Sequence, residues 1–303
     1  IGFVDRPNNR SNHSEIKSLG GGVVVIPILI GSILLIDSLF MKASILVLCI
    51  LFIVSLADDI IKINPLIRLI VHLLAIGVYV YAQHASKISS IFYDFNNYHI
   101  LHKFLIYFFS VLLITGFINA FNFMDGIDGI SSIQIIFIFT SLIIFETLIF
   151  GDVHKIYLVI LGAVFAFLKF NWAPSKIFLG DSGSIPLGFL AIHYLIEFSY
   201  KGYWMAAMIL IIYYLFDTTI TMLIRIYKRK KFWKSHTEHF YQKAIRNGKS
   251  HREVCFYLIA MILGLFFLSL LSIINEEKLY FLITSFFWCV IFILNFLKNN
   301  HKS

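Results

Sequence analysis

From residue 20 to residue 297 the chain repeats one pattern, an apolar run near the length that crosses a bilayer followed by a short polar break. Runs fall at 20–40, 43–57, 65–84, 103–122, 131–150, 156–171, 184–199, 204–224, 254–274 and 279–297. A span needs roughly 20 apolar residues. Within lipid every backbone N–H and C=O must be paired inside its own segment or barrel, so runs of this length have to be helices. Only 14% of the residues are charged, against about 25% in soluble domains. The expected fold is therefore an all-α polytopic integral membrane protein of about ten transmembrane helices, residues 1–303 forming a single membrane-embedded domain with no repeat or linker. The first residue is Ile1, and an eleventh helix ahead of it is expected, with the N-terminus incomplete.

Ten crossings put alternate breaks on alternate sides. One set comprises 1–19, 58–64, 123–130, 172–183, 225–253 and the C-terminal tail. It holds most of the Lys and Arg, including RIYKRKKFWK from Arg225 to Lys234. The other set carries scattered lysines such as Lys42, Lys87 and Lys155. Because Lys and Arg concentrate in cytoplasmic loops, the first set is read as cytoplasmic. Cys49, Cys255 and Cys289 lie in or beside apolar runs without paired spacing, and read as buried hydrophobes.

The acidic and histidine clusters fall on that same predicted face. They are DRPNNRSNHSEIKSLGGG (5–22), DDIIK (58–62), NAFNFMDGIDG (119–129), FLGDSGS (178–184) and SHTEHFYQK (235–243). Asp58 and Asp59 sit where an apolar run ends. Asn119, Asn122, Asp125 and Asp128 recur every three residues, which on a helix makes one slanted polar ridge. Gly126 and Gly129 beside the two acids would let a ligand or helix approach the backbone. Asp181 opens a run, in the position of a helix cap or of a group facing an anion. His236 and His239 lack the further Cys or His ligands that zinc needs, and read as donors to phosphate or sugar oxygens. Several aspartates offer the hard oxygens that suit magnesium. His72, His193, Glu146 and Glu197 read as residues packed inside the bundle, and Asp217 as an intramembrane acid facing its interior. A face with carboxylates, histidines and cations fits phosphoryl transfer at a bilayer surface. An ion-coupled secondary transporter is the rival, but it would hold its ionisable groups near the midplane.

The clusters, in this order along nearly the whole chain, resemble the polyprenyl-phosphate N-acetylhexosamine-1-phosphate transferases (glycosyltransferase family 4). The resemblance implies that undecaprenyl phosphate attacks the β-phosphate of a UDP-N-acetylhexosamine, releasing UMP. It implies Asp58 and Asp59 as the catalytic pair, and Asp181, Asp125 and Asp128 as the metal-binding set. Asn119, Asn122, His236, His239, Lys62, Arg10 and His13 would bind substrate. Mg2+ is the implied cofactor, with Mn2+ as a substitute. The implied setting is the bacterial inner membrane, among membrane lipids, with a second copy of the chain as a partner and no nucleic acid. HTEHFYQ is similar to the loop of O-antigen and capsule initiators, including those that use 6-deoxy sugars. The triple-histidine form of the lipid I-forming phospho-N-acetylmuramoyl-pentapeptide transferase is the alternative. EIKSLGGG lacks the proline common before these glycines, which leaves Lys17 and Ser18 without an assigned role.

Overall fold

A computed structural model of the chain describes residues 4–5, 16–37, 42–83, 99–230, 236–276 and 278–298. Each apolar run is a helix: α1 Gly21–Ile36, α2 Lys42–Ile61, α3 Pro65–Gln83, α4 Ile100–Phe123, α5 Ile130–Phe150, α6 Lys155–Asn171, α7 Asp181–Phe198, α8 Trp204–Tyr227, α10 His251–Ile274 and α11 Lys278–Leu297. A short helix, α9 (Phe240–Arg246), follows α8. Among the described residues, seven stretches are long and apolar enough to cross a membrane, the 47 residues Asp181–Tyr227 counting as one. A π-helical turn at Ser199–Tyr203, with Gly202 at φ 96°, divides that stretch into α7 and α8. Large apolar side chains such as Leu35, Leu74, Leu113 and Ile274 are exposed around the bundle. Lipid accepts such a surface, whereas water would drive it to aggregate. The chain is an all-α polytopic membrane protein.

α7 lies at the centre, packed against α1, α2 and α4, while α8, α10 and α11 form a second group. Val4–Asp5 (β1) pairs antiparallel with Lys17–Ser18 (β2), and Ser18 bridges in parallel to Ile177. The Gly21 and Gly22 amides then donate to the Phe178 and Leu179 carbonyls. A Cβ on Gly22 would strike the backbone of Ser182 and Gly183, so this glycine lets α1 reach the start of α7.

The two ends of the bundle differ. At one end the last turns of α2 and α4, the first turn of α7 and the α8–α9 connection meet through hydrogen bonds. At the other, Tyr194 donates to buried Asp37 at 2.9 Å and Lys201 to buried Glu146 at 2.6 Å. His193 is also buried, with a ring nitrogen 3.0 Å from the Tyr79 hydroxyl.

Candidate active site

Asp58 and Asp59 occupy the last turn of α2, and both are buried. Asp59 Oδ1 and Oδ2 accept the backbone N–H groups of Asp181 and Ser182 at 3.1 and 3.0 Å. The first amides of a helix have no partner within it, so α2 supplies the cap that α7 lacks. Asp181 itself is the first residue of α7 and makes no cap. Its carboxylate lies at the positive end of the helix dipole. Gly180, at φ 74°, makes the approach, since a Cβ there would stand 2.7 Å from Asp59 Oδ2.

Asp58 Oδ1 accepts the Ile63 amide at 2.7 Å, and Oδ2 accepts Arg68 Nη1 at 2.6 Å. The same Arg68 nitrogen donates to Asp181 Oδ2. Asn122 Nδ2 donates to Asp181 Oδ1 at 2.9 Å and to Ser184 Oγ at 2.8 Å. Four elements thus converge on two carboxylates tied by one guanidinium. Arg68 was not singled out from the sequence. Its signal was a lone arginine four residues into an otherwise apolar helix. His72, one turn along α3, is buried, and neither ring nitrogen has a partner among the described residues.

The polar ridge expected of residues 119–128 is only half formed. α4 ends at Phe123, so Asn119 and Asn122 are helical whereas Asp125 and Asp128 lie in the turn beyond it. Asn119 donates back to the Thr115 carbonyl at 2.8 Å. Asp125 is half-buried, and burial pushes its carboxyl up to about 8, with the charges of Asp181 and Asp59 adding to the effect. Asp128 points elsewhere. It accepts the Ser175 amide at 3.0 Å and hydroxyl at 2.8 Å, and His251 Nδ1 lies 3.2 Å from it. No contact among the described residues joins it to Asp58, Asp59 or Asp181. At the far end of this turn the Gly129 amide, at φ 81°, donates to Asn171 Oδ1 at 3.0 Å.

His236 and His239 come together, with ring centroids 4.9 Å apart. Burial, then His239 and Arg225, hold the His236 imidazole down to about 4, so it is uncharged at neutral pH. Its Nδ1 accepts the Glu238 amide at 3.3 Å, which leaves the proton on Nε2. His239 Nδ1 faces Asp217 at 3.1 Å. Tyr241, at the start of α9, donates to the Phe123 carbonyl at 2.9 Å. A Cβ on Gly126 would collide with that hydroxyl, so the histidine loop docks on the turn that carries Asp125. Lys62 is exposed, with φ 54°, and makes no side-chain contact with the group among the described residues. Arg10 and His13 lie outside the described residues. Among those described, no three His, Cys, Asp or Glu side chains alone form a metal cluster.

The family model of glycosyl transferase family 4 matches residues 41–199, more than half of the chain. The chain belongs to that family. The matched region contains Asp58, Asp59, Asp125, Asp128 and Asp181, and stops short of Asp217 and the histidine loop. The chain is also similar to a probable undecaprenyl-phosphate N-acetylglucosaminyl 1-phosphate transferase of Bacillus subtilis (strain 168), at 26% identity over 88% of this chain and 76% of that protein. A phospho-N-acetylmuramoyl-pentapeptide-transferase of Streptococcus suis (strain 05ZYH33) is 29% identical over 70% of this chain and 67% of that protein. One from Aliarcobacter butzleri (strain RM4018) is 28% identical over 60% of each chain.

Proposed function

We propose that this family member transfers an N-acetylhexosamine 1-phosphate from a UDP-sugar to undecaprenyl phosphate at the cytoplasmic face of a bacterial inner membrane. The convergence of Asp58, Asp181, Asn122 and Arg68 at one end of the bundle carries the reading. An oxygen of the lipid phosphate bonds to the β-phosphorus of the UDP-sugar, and the bond from that phosphorus to the bridging oxygen breaks. UMP leaves with that oxygen, and the sugar remains on a polyprenyl diphosphate. The names of the relatives support this chemistry, and the HTEHFYQ loop favours initiation of a surface glycan such as an O-antigen, 6-deoxy sugars included.

The donor chemistry fits magnesium, which commonly takes one or two protein carboxylates and completes its shell with water and substrate phosphates. Asp181 and Asp125 are the residues to hold it. The Asp125 carboxyl, raised mainly by burial and further by the charges of Asp181 and Asp59, is a place where a cation would favour the ionised form. A bound magnesium ion supplies neutralisation of charge developing on the diphosphate. Asp58 would accept a hydrogen bond or proton from the lipid phosphate, and Arg68, between the acids, would bind its oxygens. Asp59 holds the start of α7, and therefore Asp181, in register.

The test is UMP release by the purified full chain with undecaprenyl phosphate, magnesium and a panel of UDP-sugars that includes UDP-N-acetylmuramoyl-pentapeptide. Turnover of an N-acetylhexosamine donor, abolished by chelator and lowered by about 1,000-fold in Asp181→Asn, is expected. Manganese should replace magnesium. No UMP from any donor, or a fully active Asp181→Asn, overturns the reading.

A further inference from the structure

Asp217 lies on α8 and is fully buried, with 0% exposure. Its two oxygens accept the Phe240 amide at 3.0 and 3.1 Å and the Tyr241 amide at 3.4 Å. Thr221 Oγ1 and Tyr213 Oη donate to it at 3.2 and 3.3 Å, and His239 Nδ1 stands 3.1 Å away. One carboxylate thus holds the first two amides of α9 and the histidine just before them. A buried carboxylate costs several kcal/mol unless its lone pairs are filled, and here three different elements of structure fill them.

We infer that Asp217 is the positioning residue of His239, fixing its ring and tautomer for the sugar-nucleotide substrate, an inference that rests on the transferase reading. A carboxylate engaged by two amides acts as an acceptor, so the shared proton sits on Nδ1. Nε2 of His239 is then the nitrogen left with a lone pair. His236 is held the opposite way, with its proton on Nε2, because the Glu238 amide occupies its Nδ1. The stacked pair therefore holds one donor and one acceptor nitrogen, with the His239 ring itself buried, a pattern that matches a sugar bearing both hydroxyl and amide groups. Arg225, from the last turn of α8, pairs with Glu238 and fixes the other side of the loop. The tether reaches the carboxylate group through Tyr241 and the Phe123 carbonyl.

Asp217→Asn tests this. Asparagine keeps the size and one acceptor oxygen but offers an N–H to Nδ1, which moves the ring proton to Nε2. Removing the partner that orients a functional histidine costs about 10–100-fold at metal sites, and a similar loss is expected in kcat/KM for the UDP-sugar. The KM for undecaprenyl phosphate should not move. In a His239→Gln background, Asp217→Asn should cause no further loss. Additive losses, equal effects on both substrates, or an unchanged Asp217→Asn overturn the positioning role. Hydrogen exchange of the full chain in detergent reads the tether without activity. Amides 240 and 241 should exchange faster in Asp217→Ala and stay protected in Asp217→Asn, and unchanged protection in Asp217→Ala overturns the tether. If the wild-type chain releases no UMP, the transferase reading fails, and the exchange result alone decides the tether.

Discussion

Two aspartates in this bundle cap helices that are not their own, and they do so in different ways. Asp59, near the end of α2, takes the first two amides of α7. Asp217, in the body of α8, takes the first two amides of α9. In the first case the capped helix begins with the carboxylate of the candidate site, because Asp181 is its first residue. In the second, His239 precedes the helix and is bonded by the capping carboxylate directly. The first device places a charge at a helix start and leaves its oxygens to Arg68 and Asn122. The second fixes the rotation and proton of an imidazole. A carboxylate site needs position, whereas a histidine site needs position and tautomer.

The largest expected effect separates these halves by their chemistry. Asp181→Asn keeps the shape of the α7 start but removes the negative charge that, on the proposed reading, holds a cation at the diphosphate. UMP release should fall by about 1,000-fold, corresponding to roughly 4 kcal/mol of lost stabilisation, while thermal stability in detergent changes little. His239→Gln, which removes one hydrogen-bonding partner of the sugar, should lose only on the order of 10–100-fold. Equal losses from the two variants would end the distinction between a charge-bearing half and an orienting half.

Next comes Asp59→Ala, which leaves two buried amides at the start of α7 without a partner. Each such group costs about 1–3 kcal/mol, so the unfolding midpoint of the purified chain should drop by several degrees, with activity falling alongside it. Asp59→Asn retains an acceptor and should recover part of that stability. If Asp59→Ala melts with the wild type, water or another group caps α7 and the parallel with Asp217 is lost.

The halves were also unequally legible in the sequence. All ten apolar runs became helices, with ends close to those expected, because length and apolarity in lipid leave the backbone little choice. The pairing of Asp58 and Asp59 with the start of α7 was signalled by two acidic clusters of one face, and the structure joins them. Arg68 was missed because a single cation near a helix start looks like an interfacial anchor until its partners are seen. The sequence implies only that Asp217 faces the interior, whereas its bond to His239 spans 22 residues and has no periodic signal. The Asn119–Asp128 ridge misled for a related reason. Period-three spacing fits a helix, but the helix stops at Phe123 and the Gly129 amide beyond it finds Asn171. Tertiary hydrogen bonds accompany both outcomes.

A smaller effect is expected where the two halves touch. In Gly126→Ala the new methyl group meets the Tyr241 hydroxyl and Gln242 Nε2, pushing α9 off the turn that carries Asp125. Loss of the Tyr241–Phe123 bond should lower turnover by roughly 5–10-fold, in line with about 1 kcal/mol for one hydrogen bond. Gly116→Ala on α4 meets nothing within 4 Å and serves as the control. Full activity in Gly126→Ala would mean that the histidine loop works independently of the turn.

The smallest effect concerns Asp128, a third carboxylate that holds a loop instead of a helix start. Burial alone would raise its pKa, but the bonds from His251 and Ser175 outweigh burial and bring it below the usual carboxylate range. A carboxyl lowered on folding stabilises the protein above its unfolded pKa, about 3.9. That contribution is lost as pH falls through the folded value, because protonation is then easier in the unfolded chain. Melting of the wild type should therefore weaken between pH 4 and more acidic values by slightly more than that of Asp128→Asn, which has no such proton to take up. Parallel curves for the two proteins would show that Ser175 and His251 do not depend on the charge. Asp128 would then be a packing residue rather than a weaker counterpart of Asp59 and Asp217. Divergent curves would make it a third instance of one rule in this chain: a buried carboxylate persists where backbone amides from another segment fill its lone pairs.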